Sequence, residues 1–213
     1  MSHKSFDIEK ESFRIIDKEI GKHHYPLEYE WPIVRRVIHA TADFEFASKS
    51  RIIFSQDAIK SGFDAFSNKS NIITDVNMVL YGINRNSLKN LDLRAKCYIS
   101  DHMLSVEAKK NNKTRTEMAM RKAYKEIDHG IIIIGNAPTA LYEVISMINE
   151  SIITPKLVIG VPVGFVSAME SKLDLSRLEI PFITNIGRKG GSSVASSIIN
   201  ALMLLYFEHK KTI

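Results

Sequence analysis

The feature that most constrains this chain is a regular alternation, from residue 71 onward, between short apolar runs and helix-like segments. The apolar runs cover residues 71–75, 95–99, 131–134, 157–161 and 181–184. The helix-like segments lie near residues 76–84, 114–127, 138–149, 164–171 and 191–207. The run at 131–134 consists of four isoleucines, as expected of a strand that is buried on both faces. The alternation predicts a mostly parallel sheet with helices on both faces.

Residues 1–70 predict helices instead. Apolar residues at helical spacing mark segments near 8–20, 32–41 and 56–66, and Gly21 ends the first of them. We therefore expect a single α/β domain over residues 1–213, with a mainly helical N-terminal part at 1–70. Residues 71–213 would form a doubly wound body of alternating strands and helices.

Charge and cysteine content exclude several classes of protein. The formal charge of +5 is a mild excess of scattered basic residues, whereas nucleic-acid binding usually needs a concentrated basic face. The single cysteine, Cys97, excludes an intramolecular disulfide and a Cys-rich metal site, and it favours a reducing compartment. The run at 157–169 is shorter than the about 20 residues of a membrane span, and residues 1–13 lack the apolar core of a signal peptide. We therefore expect a cytoplasmic protein that binds neither nucleic acid nor membrane.

Ligands of such sheets bind beyond the carboxyl ends of the strands. The segment 187–193 (GRKGGSS) supplies backbone N–H groups, two cations and a helix start there, which together make a credible anion site. A glycine-rich turn in which Ser192 or Ser193 caps the helix explains the pattern equally well. In the segment 135–139 (GNAPT), a helix-start turn capped by Asn136 is the simpler interpretation.

Several catalytic signatures are missing from the sequence. It contains no Gly-x-Gly-x-x-Gly, no P-loop order and no Gly-x-Ser-x-Gly. The seven histidines show no zinc-binding spacing. The pattern therefore predicts no dinucleotide site, no serine hydrolase and no metal site.

His39 stands at the end of a helix-like run, where the helix C-terminus favours an imidazolium. Arg35, one turn earlier, would oppose that charge. A lone histidine near an apolar face is usually structural, and a functional one here would be a general acid or base. Asp43 and Glu45 have the spacing of one strand face, and they fit solvent-facing residues better than a carboxylate pair.

Five segments together resemble the precorrin-8X methylmutases, which include the cobalt-precorrin-8 methylmutases. The segments are HATADFE (39–45), TDVNMV (74–79), GNAPTAL (135–141), GVPVGFVSAMESK (160–172) and GRKGGS (187–192). They occur in the family's order across nearly the whole chain, from about residue 8 to residue 202.

The resemblance implies an isomerase of cobalamin biosynthesis that needs no external cofactor. A methyl group would move from C-11 to C-12 of a tetrapyrrole, giving hydrogenobyrinate or, with cobalt, cobyrinate. His39 matches the histidine taken to exchange a proton with the macrocycle, which overturns its structural interpretation. The implied substrate-binding residues, which include matches in the family's contact regions and the glycine-rich and basic loops, are Ser12, Arg115, Gly135, Asn136, Gly164, Arg188, Gly190, Gly191 and Ser192.

The substrate's carboxylates suit a site of loop N–H groups and cations. Arg188 and Lys189 are therefore expected to face this polyanion. The resemblance also implies a homodimer with sites near the subunit interface. It leaves open whether the substrate already carries cobalt. Two other hypotheses remain at this point: a non-catalytic corrinoid carrier and, from the pI of about 9.2 alone, a nucleic-acid-binding module.

Overall fold

The computed structural model describes residues 3–26 and 28–212. Within these residues the strands are β1 (Ile52–Phe54), β2 (Ile72–Thr74), β3 (Ala95–Cys97), β4 (Ile131–Ile134), β5 (Leu157–Gly160) and β6 (Phe182–Asn185). The helices are α1 (His3–Ile20), α2 (Glu30–Thr41), α3 (Ala58–Ser67), α4 (Asn77–Gly82), α5 (Arg85–Asn90), α6 (Leu104–Lys110), α7 (Arg115–Lys122), α8 (Tyr124–Ile127), α9 (Pro138–Asn149), α10 (Ala168–Leu175) and α11 (Ser192–Thr212). No helix in this part of the chain is long and apolar enough to cross a membrane.

The strands form one sheet in the order β1-β6-β5-β4-β2-β3. Strands β2 to β6 are parallel, and β1 alone runs antiparallel, against β6. Chain order reverses between β2 and β4, so the sheet is doubly wound and its switch point lies between these two strands. The predicted α/β class with a mostly parallel sheet is confirmed.

Side chains of β4 alternate between two buried clusters, one on each face of the sheet. Ile131 and Ile133 pack with residues of α2, α3 and α11, whereas Ile132 and Ile134 pack with residues of α7 and α9. Successive strand residues point to opposite faces, so helices cover both sides. The isoleucine run is therefore fully buried, as its composition predicts.

The N-terminal part at 1–70 also contains β1, a strand of three residues that the sequence pattern did not predict and whose partner, β6, is distant in sequence. Two local predictions were wrong. The helix predicted near 164–171 begins at Ala168, because residues 161–167 form a loop. Asp43 and Glu45 do not lie on a strand: Asp43 accepts a hydrogen bond from the N–H of Glu45 at 3.0 Å and caps a short 3-10 helix, Phe44–Ala47.

Helix α2 packs antiparallel to α11. Tyr29, beside the start of α2, contacts His209 near the end of α11, with ring centroids 6.2 Å apart. Asp43, just after α2, binds Lys189, just before α11. This packing carries the C-terminal end of α2 to the edge of the sheet where the parallel strands end.

Candidate active site

His39 lies exposed in the last turn of α2. Its ring makes an edge contact with Phe13 of α1, with centroids 5.3 Å apart and an interplanar angle of 67°. Neither ring nitrogen forms a hydrogen bond with any residue that the structure describes. Arg35, expected to oppose an imidazolium, donates to Asp17 at 2.7 Å, and this carboxylate balances its charge. The helix end thus presents an imidazole whose nitrogens can reach a ligand.

Helix α1, which carries Ser12, reaches His39 through the ring of Phe13. Ser12 precedes Phe13, and its hydroxyl donates to the carbonyl of Ile8 at 2.9 Å. Glu9 of α1 accepts a hydrogen bond from Arg36 of α2 at 2.8 Å, and this bond holds the two helices together. Ser12 is half-buried, and its hydroxyl is used within its own helix.

Lys189 connects the end of α2 to the glycine-rich loop 187–191. Its ammonium lies 2.6 Å from a carboxylate oxygen of Asp43 and 2.7 Å from one of Glu45. These two hydrogen bonds raise the pKa of Lys189. Although burial opposes the change, the same ammonium holds the pKa of Asp43 below its ordinary value. The expectation that Lys189 faces a polyanion needs correction, because both of its carboxylate partners belong to the protein.

The loops 160–167 and 187–192 are packed against each other through glycine. Gly190 has φ +152°, and a Cβ there would lie 2.3 Å from the carbonyl oxygen of Val161 and 2.8 Å from that of Pro162. Gly191, with φ +117°, donates its N–H to Val161 at 2.9 Å. The close approach therefore requires glycine at position 190 for both conformation and space.

Arg188 is the exposed cation of this loop. Its guanidinium lies 5.7 Å from the centre of the exposed Phe165 ring, and its carbonyl accepts from Gly164 at 3.2 Å. Within the described residues Arg188 forms no ion pair. Along the chain, Arg188 is followed by Lys189, Gly190 and Gly191, and then by Ser192, where α11 begins.

Asp75 holds the loop that leads into α9, and no described side chain caps the helix itself. Its buried carboxylate accepts from the N–H of Gly135 at 3.1 Å and from those of Asn136 and Ala137 at 2.8 Å each. Burial raises the pKa of Asp75, although the three N–H groups oppose that change. Asn136 makes no side-chain cap, and its side chain is exposed. The local pattern suggested the wrong residue because Asp75 follows the neighbouring strand, β2.

Gly135 allows α4 and α11 to pack closely against the end of β4. A Cβ at this position would lie 2.7 Å from Val79 and 2.9 Å from Ala195. The residue is buried where β4 ends, under the first turn of α11. A ligand contact by this segment would therefore use the exposed amide of Asn136 rather than Gly135.

Arg115 begins α7 at the same edge of the sheet. Its guanidinium donates to the carbonyl of Ile99, just beyond β3, at 2.9 Å. Thr116 and Thr139 are joined through their hydroxyl groups at 2.9 Å, which ties α7 to the start of α9. Arg115 is exposed and lines a cavity of about 610 Å³ with Lys109 and Lys113.

Among residues 3–26 and 28–212, no three His, Cys, Asp or Glu side chains lie together as a metal site would require.

Residues 7–205 match the family model described as precorrin-8X methylmutase. The chain belongs to this methylmutase family. It is 49% identical over 198 residues to the cobalt-precorrin-8 methylmutase of Priestia megaterium, covering 93% of this chain and 87% of that protein. It is 32% identical to the precorrin-8X methylmutase of Pseudomonas aeruginosa, covering 92% and 93%. Its fold is similar to that of the precorrin-8X methylmutase from Thermus thermophilus, with a TM-score of 0.88, 37% identity, and 95% and 97% coverage.

Membership makes this methylmutase an isomerase of cobalamin biosynthesis, and it does not favour a carrier without chemistry. The position of Asp75 after a strand marked it for inspection, but its hydrogen bonds were not predicted, and Lys172 was not a candidate at all. Both lay inside the motifs that carry the resemblance. Their positions beneath the ligand-facing loops became visible only with the strand order.

The hydrogen bonds that Asp75 accepts from the loop before α9 give a testable contrast in the methylmutase. Replacing Asp75 with Asn removes acceptor capacity from three buried N–H groups, and we expect a loss of about 1–3 kcal/mol in the free energy of unfolding. Asn136→Ala, which removes an exposed side chain, should change it by less than about 0.5 kcal/mol. Denaturant unfolding of both variants measures this. Equal losses would contradict the role of Asp75 in holding this loop.

Proposed function

We propose that this chain moves a methyl group from C-11 to C-12 of cobalt-precorrin-8, giving cobyrinate, with His39 exchanging the proton. The observation that carries the proposal is the position of His39. It is exposed at the end of α2. The ion pairs of Lys189 with Asp43 and Glu45 join this end to the glycine-rich loop. A proton donor thus stands beside an anion-binding surface, as a polycarboxylated macrocycle requires.

In the proposed reaction, an imidazolium at His39 gives a proton to the conjugated macrocycle. The protonated ring system favours migration, in which the bond from the methyl carbon to C-11 breaks as the bond to C-12 forms. The neutral imidazole then takes a proton back. Atoms and electrons balance within one substrate molecule, so neither a co-reactant nor an external cofactor is needed.

For the carboxylates, the first turn of α11 is the better of the two helix starts. Before α9, Asp75 already binds the N–H groups of Gly135, Asn136 and Ala137, and the first residue of the helix, Pro138, has no N–H. The start of α11 at Ser192 has Gly190 and Gly191 before it and Arg188 nearby. A substrate carboxylate there would meet N–H groups and a cation. Arg115, Asn136, Gly164 and Ser12 would complete the binding surface around the macrocycle.

The cobalt form of the substrate is favoured by the relatives. The cobalt-precorrin-8 methylmutases of Priestia megaterium and Leptospira interrogans are 49% and 45% identical to this chain. The precorrin-8X methylmutases of Pseudomonas aeruginosa and Sinorhizobium are 32% and 30% identical. Metal-free precorrin-8X is the second candidate.

An anaerobic comparison of the two substrates tests this choice. We expect kcat/KM for cobalt-precorrin-8 to exceed that for precorrin-8X by about tenfold, a difference of about 1.4 kcal/mol in transition-state binding. Absorption changes on adding purified protein give both rates. A preference for the metal-free compound would overturn the choice, and conversion of neither would overturn the function.

We further infer a homodimer in the cytoplasm. Phe165 and Val166 are 86% and 82% exposed, and Met169, Leu173 and Ile186 are also exposed around one cavity of about 230 Å³. Apolar exposure of this kind marks interaction surfaces, and a second copy is the partner that the family resemblance implies. Light scattering should give twice the 24.1 kDa of one chain. The single cysteine supports a reducing compartment.

A further inference from the structure

Lys172 of α10 is a buried cation without a counter-ion. The residue is 2% exposed, and its ammonium forms no ion pair with any described residue. Glu170 and Asp174 lie on the same helix, but neither shifts the pKa of Lys172. Tyr142 of α9 faces those two carboxylates, and β6 offers only uncharged side chains here. The ammonium of Lys189 is bound to other carboxylates.

Burial alone lowers the pKa of Lys172 to about 8. The group is therefore still mostly protonated at neutral pH, inside a surrounding that disfavours the charge. A buried, unpaired charge costs stability, and an apolar residue of similar shape would avoid that cost. Such a residue is a candidate for a functional role when it also lies beneath a ligand-facing loop.

The contacts of Lys172 lead directly to the glycine-rich loop. Its ammonium donates to the carbonyl of Lys189 at 2.6 Å and to the side-chain oxygen of Asn185 at 3.2 Å. The amide of Asn185 donates to the carbonyls of Ile186 and Lys189 at 3.0 and 2.9 Å. Lys172 and Asn185 together hold the buried side of loop 187–191, whose other side carries Arg188.

We propose that Lys172 is a positioning residue for substrate: its buried ammonium fixes loop 187–191 and provides the positive charge that a substrate carboxylate on this loop balances. The inference rests on the proposed function and adds to it the residue that tunes affinity. The fold leaves the ammonium without a carboxylate, and the polyanionic ligand supplies one. The charge that destabilises the free protein thereby favours the complex.

Two substitutions separate charge from hydrogen bonding. Lys172→Gln keeps a donor for the Lys189 carbonyl but is neutral, and Lys172→Met removes both. The probe is cobyrinate, with Kd measured by absorption titration between about pH 7 and about pH 9.5, across the range in which the buried ammonium deprotonates. Ser176→Ala, which lines the adjacent cavity, is the matched control.

For the parent protein and Ser176→Ala, we expect Kd to rise by about tenfold as pH increases through 8, the equivalent of about one pKa unit of linkage. Both Lys172 variants should bind about tenfold more weakly at pH 7, with a Kd that hardly changes with pH. Their kcat at saturating substrate should stay within about twofold, since the chemistry belongs to His39. If Lys172→Gln bound cobyrinate with the Kd of the parent protein and with the same dependence of Kd on pH, the proposal would be wrong.

Thermal stability provides a second readout, because a purely structural lysine predicts the opposite sign. Below about pH 8 both folded and unfolded Lys172 are protonated, so burial of the cation destabilises the fold fully. Between about 8 and the ordinary lysine value of 10.5 the folded state releases its proton first, and stability rises. Lys172→Met should therefore unfold at an equal or higher temperature at pH 7. A clear decrease in its Tm together with parent-like cobyrinate affinity would contradict the inference. Conversely, failure of the parent protein to convert cobalt-precorrin-8 or precorrin-8X would count against the proposed function itself.

Discussion

His39→Ala is expected to lower kcat by about 10²–10⁴-fold, the usual contribution of a positioned general acid–base group. Affinity for cobyrinate should change by less than about threefold, because the loop N–H groups and Arg188 bind the carboxylates. The ring nitrogens of His39 have no protein partner within the described residues. Removal of the imidazole therefore leaves no buried donor or acceptor behind, and the fold should be unaffected. Steady-state rates and absorption titrations measure the two effects separately.

His102→Ala is the matched control for this substitution. His102 is also an exposed histidine, and it lies in the loop that follows β3 at the same edge of the sheet. Its replacement should leave kcat within about twofold of the parent value, as expected for an exposed residue that has no part in the proposed proton exchange. An equal loss in the two variants would remove His39 from its assigned role, as would full turnover in His39→Ala.

Gly190→Ala carries the second large effect. A Cβ at this position would lie 2.3 Å from a backbone oxygen of Val161, and the residue has φ +152°. The backbone of one loop must shift, since the nearest atoms are backbone oxygens of Val161 and Pro162 rather than the ends of flexible side chains. We expect a loss of about 2–4 kcal/mol in unfolding free energy from strain and overpacking. Cobyrinate affinity should fall by more than about tenfold, because the loop would no longer present its N–H groups in place.

Gly191→Ala separates strain from collision. Gly191 has φ +117°, but the nearest atoms to a Cβ there are side-chain atoms of Val163 at 3.7 and 3.9 Å. This variant should lose about 1–2 kcal/mol from backbone strain alone. Denaturant unfolding and cobyrinate titration compare the pair. If Gly190→Ala were the milder of the two substitutions, the close packing of the loops would not be what the site depends on.

The body of the fold was predictable because its signal is local. Four isoleucines in succession at 131–134 identify a strand buried on both faces, and the two clusters around β4 confirm it. Strand β1 was not predictable from pattern. It lies between helical segments, outside the alternation that marks the other strands, and its pairing with β6 is set by tertiary contacts.

The same distinction between local signals and tertiary contacts applies to the residues of the candidate site. The resemblance singled out His39 and the glycine-rich loops, whereas Asp75 and Lys172 needed the three-dimensional order of the strands. Asp75 binds the loop after β4 only because β2 and β4 are neighbours in the sheet. A lysine is expected on the surface, so nothing in the helical pattern of α10 indicates that Lys172 is buried. For Lys189, sequence reasoning expected a ligand where the structure has protein groups. The carboxylates of Asp43 and Glu45, which are distant in sequence, bind this loop cation.

The most direct test of methyl migration uses cobalt-precorrin-8 with a ¹³C-labelled methyl group on C-11. The substrate is incubated anaerobically with a slight excess of protein, and NMR then reports the carbon to which the labelled methyl is attached. The parent protein should transfer the label completely to C-12, whereas His39→Ala should bind the compound and leave the label on C-11 over the same time. A label that stays on C-11 in the parent protein, with the compound still bound, would show a carrier and contradict the account.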